Sequence, residues 1–145
     1  MSVIAFDGKM MAADRQMTSG ESKYTTTKIF KEGNLIMGFT GTMPTGIALM
    51  DWVKNGCQDK FDFNEEYASD ILFFNTGTKE LWLSNGMTPF RIQDDLFSMG
   101  SGADIALAAM KLGKTAKEAV ELANEINVFC GMGVDVIYIN GEENE

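Results

Sequence analysis

Apolar and polar positions along the chain change period several times, and each change marks an element. Two short apolar runs, Val3 to Phe6 and Met10 to Ala13, flank Asp7-Gly8. Apolar runs joined by a two-residue Asp-Gly loop spell a hairpin with a type I′ turn. Counted outward from that loop, Phe6 faces Lys9, Ala5 faces Met10, Ile4 faces Met11, Val3 faces Ala12 and Ser2 faces Ala13, which sets the Asp14 carboxylate beside the chain start. Residues 15–26 are polar, with a turn at Ser19 to Ser22, and an extended β-branched run begins at Tyr24. A second hairpin pairs Thr27 to Lys31 with Leu35 to Thr40 around Glu32-Gly33-Asn34, and its outgoing strand ends at Gly41. From Pro44 the period becomes helical. Ile47, Met50 and Val53, broadened by Leu49 and Trp52, predict one apolar face, and Gly56 stops the helix.

Residues 57–68 are acidic and aromatic, with room for one short helix around Asn64 to Ala68. Ile71 to Phe74, Glu80 to Leu83 and Thr88 to Ile92, punctuated by Asn75-Thr76-Gly77 and Ser84-Asn85-Gly86, read as an antiparallel meander. Leu96 to Met99 is a further strand, running into Gly100-Ser101-Gly102 and a helix with Ile105, Ala108, Ala109 and Leu112 on one side. Thr115 with Glu118 three residues later forms a capping box that opens a helix holding Ala119, Leu122, Ala123 and Ile126. Val134 to Ile139, apolar except at Asp135, predicts a central strand, and Glu142 to Glu145 a solvated tail. Two antiparallel blocks around one helix, then a helix pair and a closing strand, pack most economically as two sheets face to face with helices outside. The expected fold is therefore α+β, a four-layer α/β/β/α sandwich, in a single domain over residues 1–145.

Composition narrows the chemistry. Twenty-one acidic and twelve basic residues give a formal charge of −9, which disfavours nucleic acid and anionic membrane as partners. No apolar run approaches the roughly 18 residues of a membrane span and no leader is legible, so the expectation is a soluble cytoplasmic protein. Cys57 and Cys130 are too isolated to suggest a disulfide framework. Histidine is absent, which removes Ser-His-Asp and Cys-His arrangements and any histidine-ligated zinc. The eleven methionines are scattered and read as core and contact surface, so neither metal nor cofactor is expected.

A base must then come from elsewhere. Met1 precedes a serine, a small residue after which initiator methionine is normally removed, and Ser2 would then carry both a hydroxyl and a free α-amine. An α-amine has a reference pKa of about 7.7–8.0, so part of it is neutral at pH 7 and can take the hydroxyl proton. The plainer reading of the same stretch is an ordinary edge hairpin in a chain that begins Met-Ser. Gly41, closing an apolar strand, offers backbone N–H groups as oxyanion donors or marks a simple turn.

Five stretches follow one another along the chain: Ala12-Ala13-Asp14-Arg15-Gln16, Lys28 ahead of an apolar residue, Met37 to Thr42, Met99-Gly100-Ser101-Gly102, and Ile137-Tyr138-Ile139-Asn140. Taken in order, they resemble the N-terminal nucleophile hydrolase family of the proteasome β-subunit and the HslV-type peptidase. The resemblance implies a peptidase with Ser2 in the place of the nucleophilic threonine. It implies Lys28 as the cation that depresses the amine pKa, Asp14 as the acid that holds this lysine, Gly41 as the oxyanion donor, and Ser101 and Gly102 as residues beside the amine. It further implies polypeptide substrates, a homo-oligomeric ring of copies of this chain, and an unfoldase ATPase as partner. The chain departs from the family in Ser for Thr, in Asn127 where a second aspartate stands, and in a reduced second helix after residue 57. With Met1 retained the Ser2 nitrogen is an amide, and the same fold would serve as a catalytically inactive assembly subunit.

Overall fold

The computed structural model describes residues 2–61 and 68–140. The helix expected around Asn64 to Ala68, apart from Ala68 itself, and the acidic tail from Glu142 lie outside the described residues. In chain order the strands are β1 (Ile4–Phe6), β2 (Met10–Asp14), β3 (Gln16–Ser19), β4 (Ser22–Thr25), β5 (Ile29–Glu32) and β6 (Leu35–Gly41). Helix α1 (Met43–Lys54) precedes β7 (Ser69–Asn75), β8 (Glu80–Ser84), β9 (Phe90–Ile92) and β10 (Phe97–Met99). Helices α2 (Ala103–Lys111) and α3 (Ala116–Ile126) lead to β11 (Val134–Tyr138). One sheet has the order β10-β1-β2-β11, the other β5-β6-β7-β8-β9, and β3 with β4 forms a separate two-stranded ribbon. None of the described helices is long and apolar enough to cross a membrane.

The period-2 alternation of the strands explains the layering, because successive side chains leave a strand on opposite faces. Val3, Ala5, Met10 and Ala12 point one way and pack against Ala106, Ala109, Ala119, Val120 and Ala123 of α2 and α3. Their neighbours Ile4, Phe6, Met11 and Ala13 point the other way and meet Ile36, Leu72, Phe74 and Leu81 of the second sheet. The outer face of that sheet, with Met37, Ile71 and Phe73, is covered by Leu49 and Val53 of α1. The result is the α/β/β/α sandwich expected from the element order.

Three details differ from the expectation. The first hairpin pairs Ile4 with Ala13, Ala5 with Ala12 and Phe6 with Met11, two residues away from the register counted on an Asp-Gly loop. The reason is Asp7, whose Oδ1 accepts the N–H groups of Lys9 and Met10 and moves the turn onto Gly8-Lys9. An even displacement leaves every side chain on its expected face. Strand β11 lies at a sheet edge and not in the centre. It is apolar on both faces because Val134, Val136 and Tyr138 pack towards the helices while Ile137 and Ile139 pack into the inter-sheet core. The helix faces are also rotated. In α1 Gly46, Leu49 and Val53 are buried and Ile47 is exposed, because the Phe39 ring occupies the space a Cβ at position 46 would need. In α2 Ala106, Ala109 and Met110 point inward and Leu112 outward, and in α3 Val120 is buried where Ile126 is exposed.

Candidate functional site

The site begins with a charge that the fold has taken out of water. Asp14, at the end of β2, is completely buried, and a buried carboxylate is tolerated only when paired and hydrogen-bonded. Its Oδ1 accepts from Lys28 Nζ at 2.8 Å and from the Val3 N–H at 3.1 Å. Its Oδ2 accepts from the N–H groups of Gln16 at 3.3 Å and Gly131 at 3.2 Å. Lys28, just ahead of β5 and also buried, gives a second hydrogen bond to Ser2 Oγ at 3.0 Å. A cation is thereby held on a serine hydroxyl by a carboxylate that cannot turn away.

Ser2 is itself buried and fixed at both ends of its backbone. Its nitrogen donates to Ser101 Oγ at 3.1 Å, while its carbonyl accepts from the Gly102 N–H at 3.1 Å and from the Ser101 hydroxyl at 3.3 Å. The Gly100 to Gly102 loop between β10 and α2 therefore grips the chain start. That loop is secured in turn by Asn127, the residue closing α3, whose Nδ2 donates to the Ser101 carbonyl at 3.0 Å. Gly41 closes β6 with φ of 99°, a backbone conformation that favours glycine, and a Cβ there would run into the Ala68 carbonyl. Ser2, Lys28 and Gly41 share one cleft of about 440 Å³, whose walls also include Met17, Thr26 and Met43. All six residues named from the sequence, Ser2, Asp14, Lys28, Gly41, Ser101 and Gly102, gather at one end of the sandwich.

No family model matches the chain. The ATP-dependent protease subunit HslV of Thermosipho melanesiensis is 25% identical, over 85% of this chain and 86% of the relative. The chain is similar to this HslV-type, proteasome-like peptidase subunit along most of its length. Solved structures with the HslV-like fold include eukaryotic HslV from Trypanosoma brucei, at TM-score 0.72 and 20% identity over 93% of this chain and 96% of the other. BPH from Thiobacillus denitrificans aligns at TM-score 0.72 and 18% identity, covering 99% of this chain and 100% of the other. Anbu, the ancestral beta-subunit from Yersinia bercovieri, aligns at TM-score 0.67 and 12% identity over 95% of this chain and 81% of the other. The four-layer sandwich of this chain is the fold of HslV.

Chemically, a serine hydroxyl in this HslV-like frame has a stabilised anion within reach, because the adjacent ammonium offsets charge that develops on Oγ. Of three further residues around the site, Gln16 closes the family-like stretch Ala12 to Gln16, whereas Cys130 and Gly131 were not legible as site residues. Cys130 is buried with its Sγ 3.9 Å from Ser101 Oγ, and burial, followed by the Asp14 charge, pushes its thiol pKa up, so it stays protonated near neutral pH. Gly131 reaches Asp14 across 117 residues of sequence, and Gln16 lines the cleft with a buried carboxamide. No local pattern marks Gly131. The one available signal was the Cys-Gly-Met-Gly stretch at 130–133, which reads locally as a turn and nothing more.

Proposed function

We propose that this chain is a peptidase subunit that cleaves peptide bonds with Ser2 as its nucleophile once Met1 has been removed. The observation that carries the reading is the pair of contacts made by one buried ammonium, Lys28 Nζ at 3.0 Å from Ser2 Oγ and 2.8 Å from Asp14. Ser2 Oγ attacks the scissile carbonyl carbon while the Ser2 α-amine takes the hydroxyl proton. The carbonyl oxygen becomes an oxyanion facing the Gly41 N–H, and the protonated amine then gives its proton to the leaving peptide nitrogen. Water, deprotonated by the same amine, hydrolyses the ester and restores the hydroxyl. Lys28 disfavours the protonated amine at rest and so keeps the base available near neutral pH. The Ser101 hydroxyl and Gly102 N–H orient the residue that carries both groups. Polypeptide substrates are cut inside a closed assembly of copies of this chain, delivered by an unfolding ATPase.

The state of the N-terminus is the test. Thiobacillus denitrificans BPH has been solved in complex with epoxomicin, which makes that compound a probe to try here. Chain beginning at Ser2 is expected to hydrolyse small peptide amides and to gain the mass of epoxomicin on Ser2, whereas chain retaining Met1 does neither with the fold unchanged. The difference should be on the order of 10²–10⁴ in rate, the usual contribution of a positioned base. Ser2→Ala is expected to be inert and Ser2→Thr to remain active. Equal turnover with and without Met1 would remove the Ser2 amine as the base, and no turnover from either would replace this reading by that of an inactive structural subunit.

A further inference from the structure

Gln16 is among the few polar side chains buried in this molecule, and its partners lie on both sides of the site. Its backbone N–H donates to Asp14 Oδ2 at 3.3 Å. Its carboxamide nitrogen donates to Thr18 Oγ1 at 3.2 Å on its own strand, and to the Val128 carbonyl at 3.2 Å on the loop between α3 and β11. The amide orientation is settled by chemistry, since the Val128 carbonyl can only accept. On the other side, Gln16 Oε1 lies against Gly131, where a Cβ would sit 2.8 Å from it. A Cβ at position 131 would require the carboxamide to shift.

That loop carries the Gly131 N–H that donates to Asp14 Oδ2 at 3.2 Å, while the Gly131 carbonyl accepts from the Arg15 N–H at 3.0 Å. Its outer side chains are unsupported by the core, with Val128 74% exposed, Phe129 46% and Met132 45%. The Cys130 side chain alone anchors the segment in the core, so the rest of it depends on hydrogen bonds. Those bonds run to Arg15, Asp14 and Gln16, to Ser101 through Asn127 Nδ2, and to α3 through Asn124 Nδ2 and the Gly133 carbonyl at 3.0 Å.

We propose that Gln16 is a positioning residue whose carboxamide staples the 127–133 loop onto β3, keeping the Gly131 N–H on Asp14 and thereby Lys28 on Ser2. The catalytic part of this statement rests on the peptidase reading above, and the geometric part stands without it. An acidic replacement at position 16 would also place negative charge in the cleft that holds Ser2 and Lys28. It would favour the protonated amine.

The test uses full chain beginning at Ser2 and two readouts. Gln16→Met keeps the length and loses the donor, and amide exchange at Gly131 is expected to rise by about tenfold or more. Gly131→Ala attacks the same contact from the loop side and covers the case that Gln16→Met does not fold. It should loosen the Val128 attachment and slow epoxomicin labelling. Gln16→Glu is expected to displace the pH profile of labelling to higher pH, a change that general loosening would not produce. Unchanged Gly131 exchange in Gln16→Met, or an unmoved pH profile in Gln16→Glu, overturns the proposal. If wild-type chain does not label at all while Gly131 exchange still rises in Gln16→Met, the staple stands and the peptidase reading falls.

Discussion

Lys28 and Asp14 form an ion pair with side chains 5% and 0% exposed, and such a pair is costly to break because the surviving charge stays in the interior. Lys28→Ala is expected to lower stability by about 3–5 kcal/mol, read from denaturant midpoints, and to abolish labelling of Ser2. Lys28→Arg keeps the charge, yet a planar guanidinium cannot replace a compact ammonium that sits 2.8 Å from Asp14 Oδ1 and 3.0 Å from Ser2 Oγ. It should recover part of the stability and none of the labelling. Full labelling in either variant would remove Lys28 from the mechanism. The sequence carried much of this site. A lysine ahead of an apolar strand, an acid closing another and a serine at the start are legible, but the Gly131 N–H and the Gln16 carboxamide are contacts between distant segments that local pattern cannot register.

At the scale of elements, α3 is the clearest case of local chemistry deciding structure. Thr115 Oγ1 accepts the Glu118 N–H at 3.1 Å and Glu118 Oε1 accepts the Thr115 N–H at 3.0 Å, the capping box read from Thr-x-x-Glu. The fold adds a third cap, since Asp7 Oδ2 accepts the Ala116 N–H at 2.9 Å and ties the first hairpin turn to the helix start. Thr115→Ala should cost about 1 kcal/mol. The hydrogen bonds from Thr115 hold the Glu118 carboxyl below its ordinary pKa. A depressed acid contributes stability above its unfolded pKa and loses it as pH falls through the folded value. Stability should therefore decline from around pH 4 downward, near the reference Glu pKa, and Glu118→Gln should flatten that decline. Equal slopes in the two proteins, from denaturation at a series of pH values, would refute the assignment.

For the whole molecule the expectation is self-association, because closed symmetric assembly is the common state of soluble homo-oligomers. Leu112, Ile126 and Val128 are the apolar side chains most exposed near α2, α3 and the loop that follows, at 85%, 62% and 74%. Light scattering at tens of micromolar should report a species several times the mass of one chain. A monomer there would count against proteolysis inside a closed chamber. The net charge of −9 opposes association at low ionic strength, so added salt should favour the assembly by screening.

What the sequence by itself determined were the properties that depend on neighbours in the chain. These are the alternation that sends Val3 and Ala5 to one face and Ile4 and Phe6 to the other, the turns at Gly33 and Gly77, and the box that starts α3. Tertiary structure alone decided the rest. Helix α1 turned Gly46 inward because the Phe39 ring needed the room, and β11 pairs with β2 at a sheet edge while packed layers cover both of its apolar faces. The site follows the same division. Its residue types are local, whereas the burial that makes a carboxylate hold a lysine against a serine exists only when segments up to 117 positions apart close over Asp14. Electrostatic interactions gain their strength from the exclusion of water, and only the packed layers exclude it.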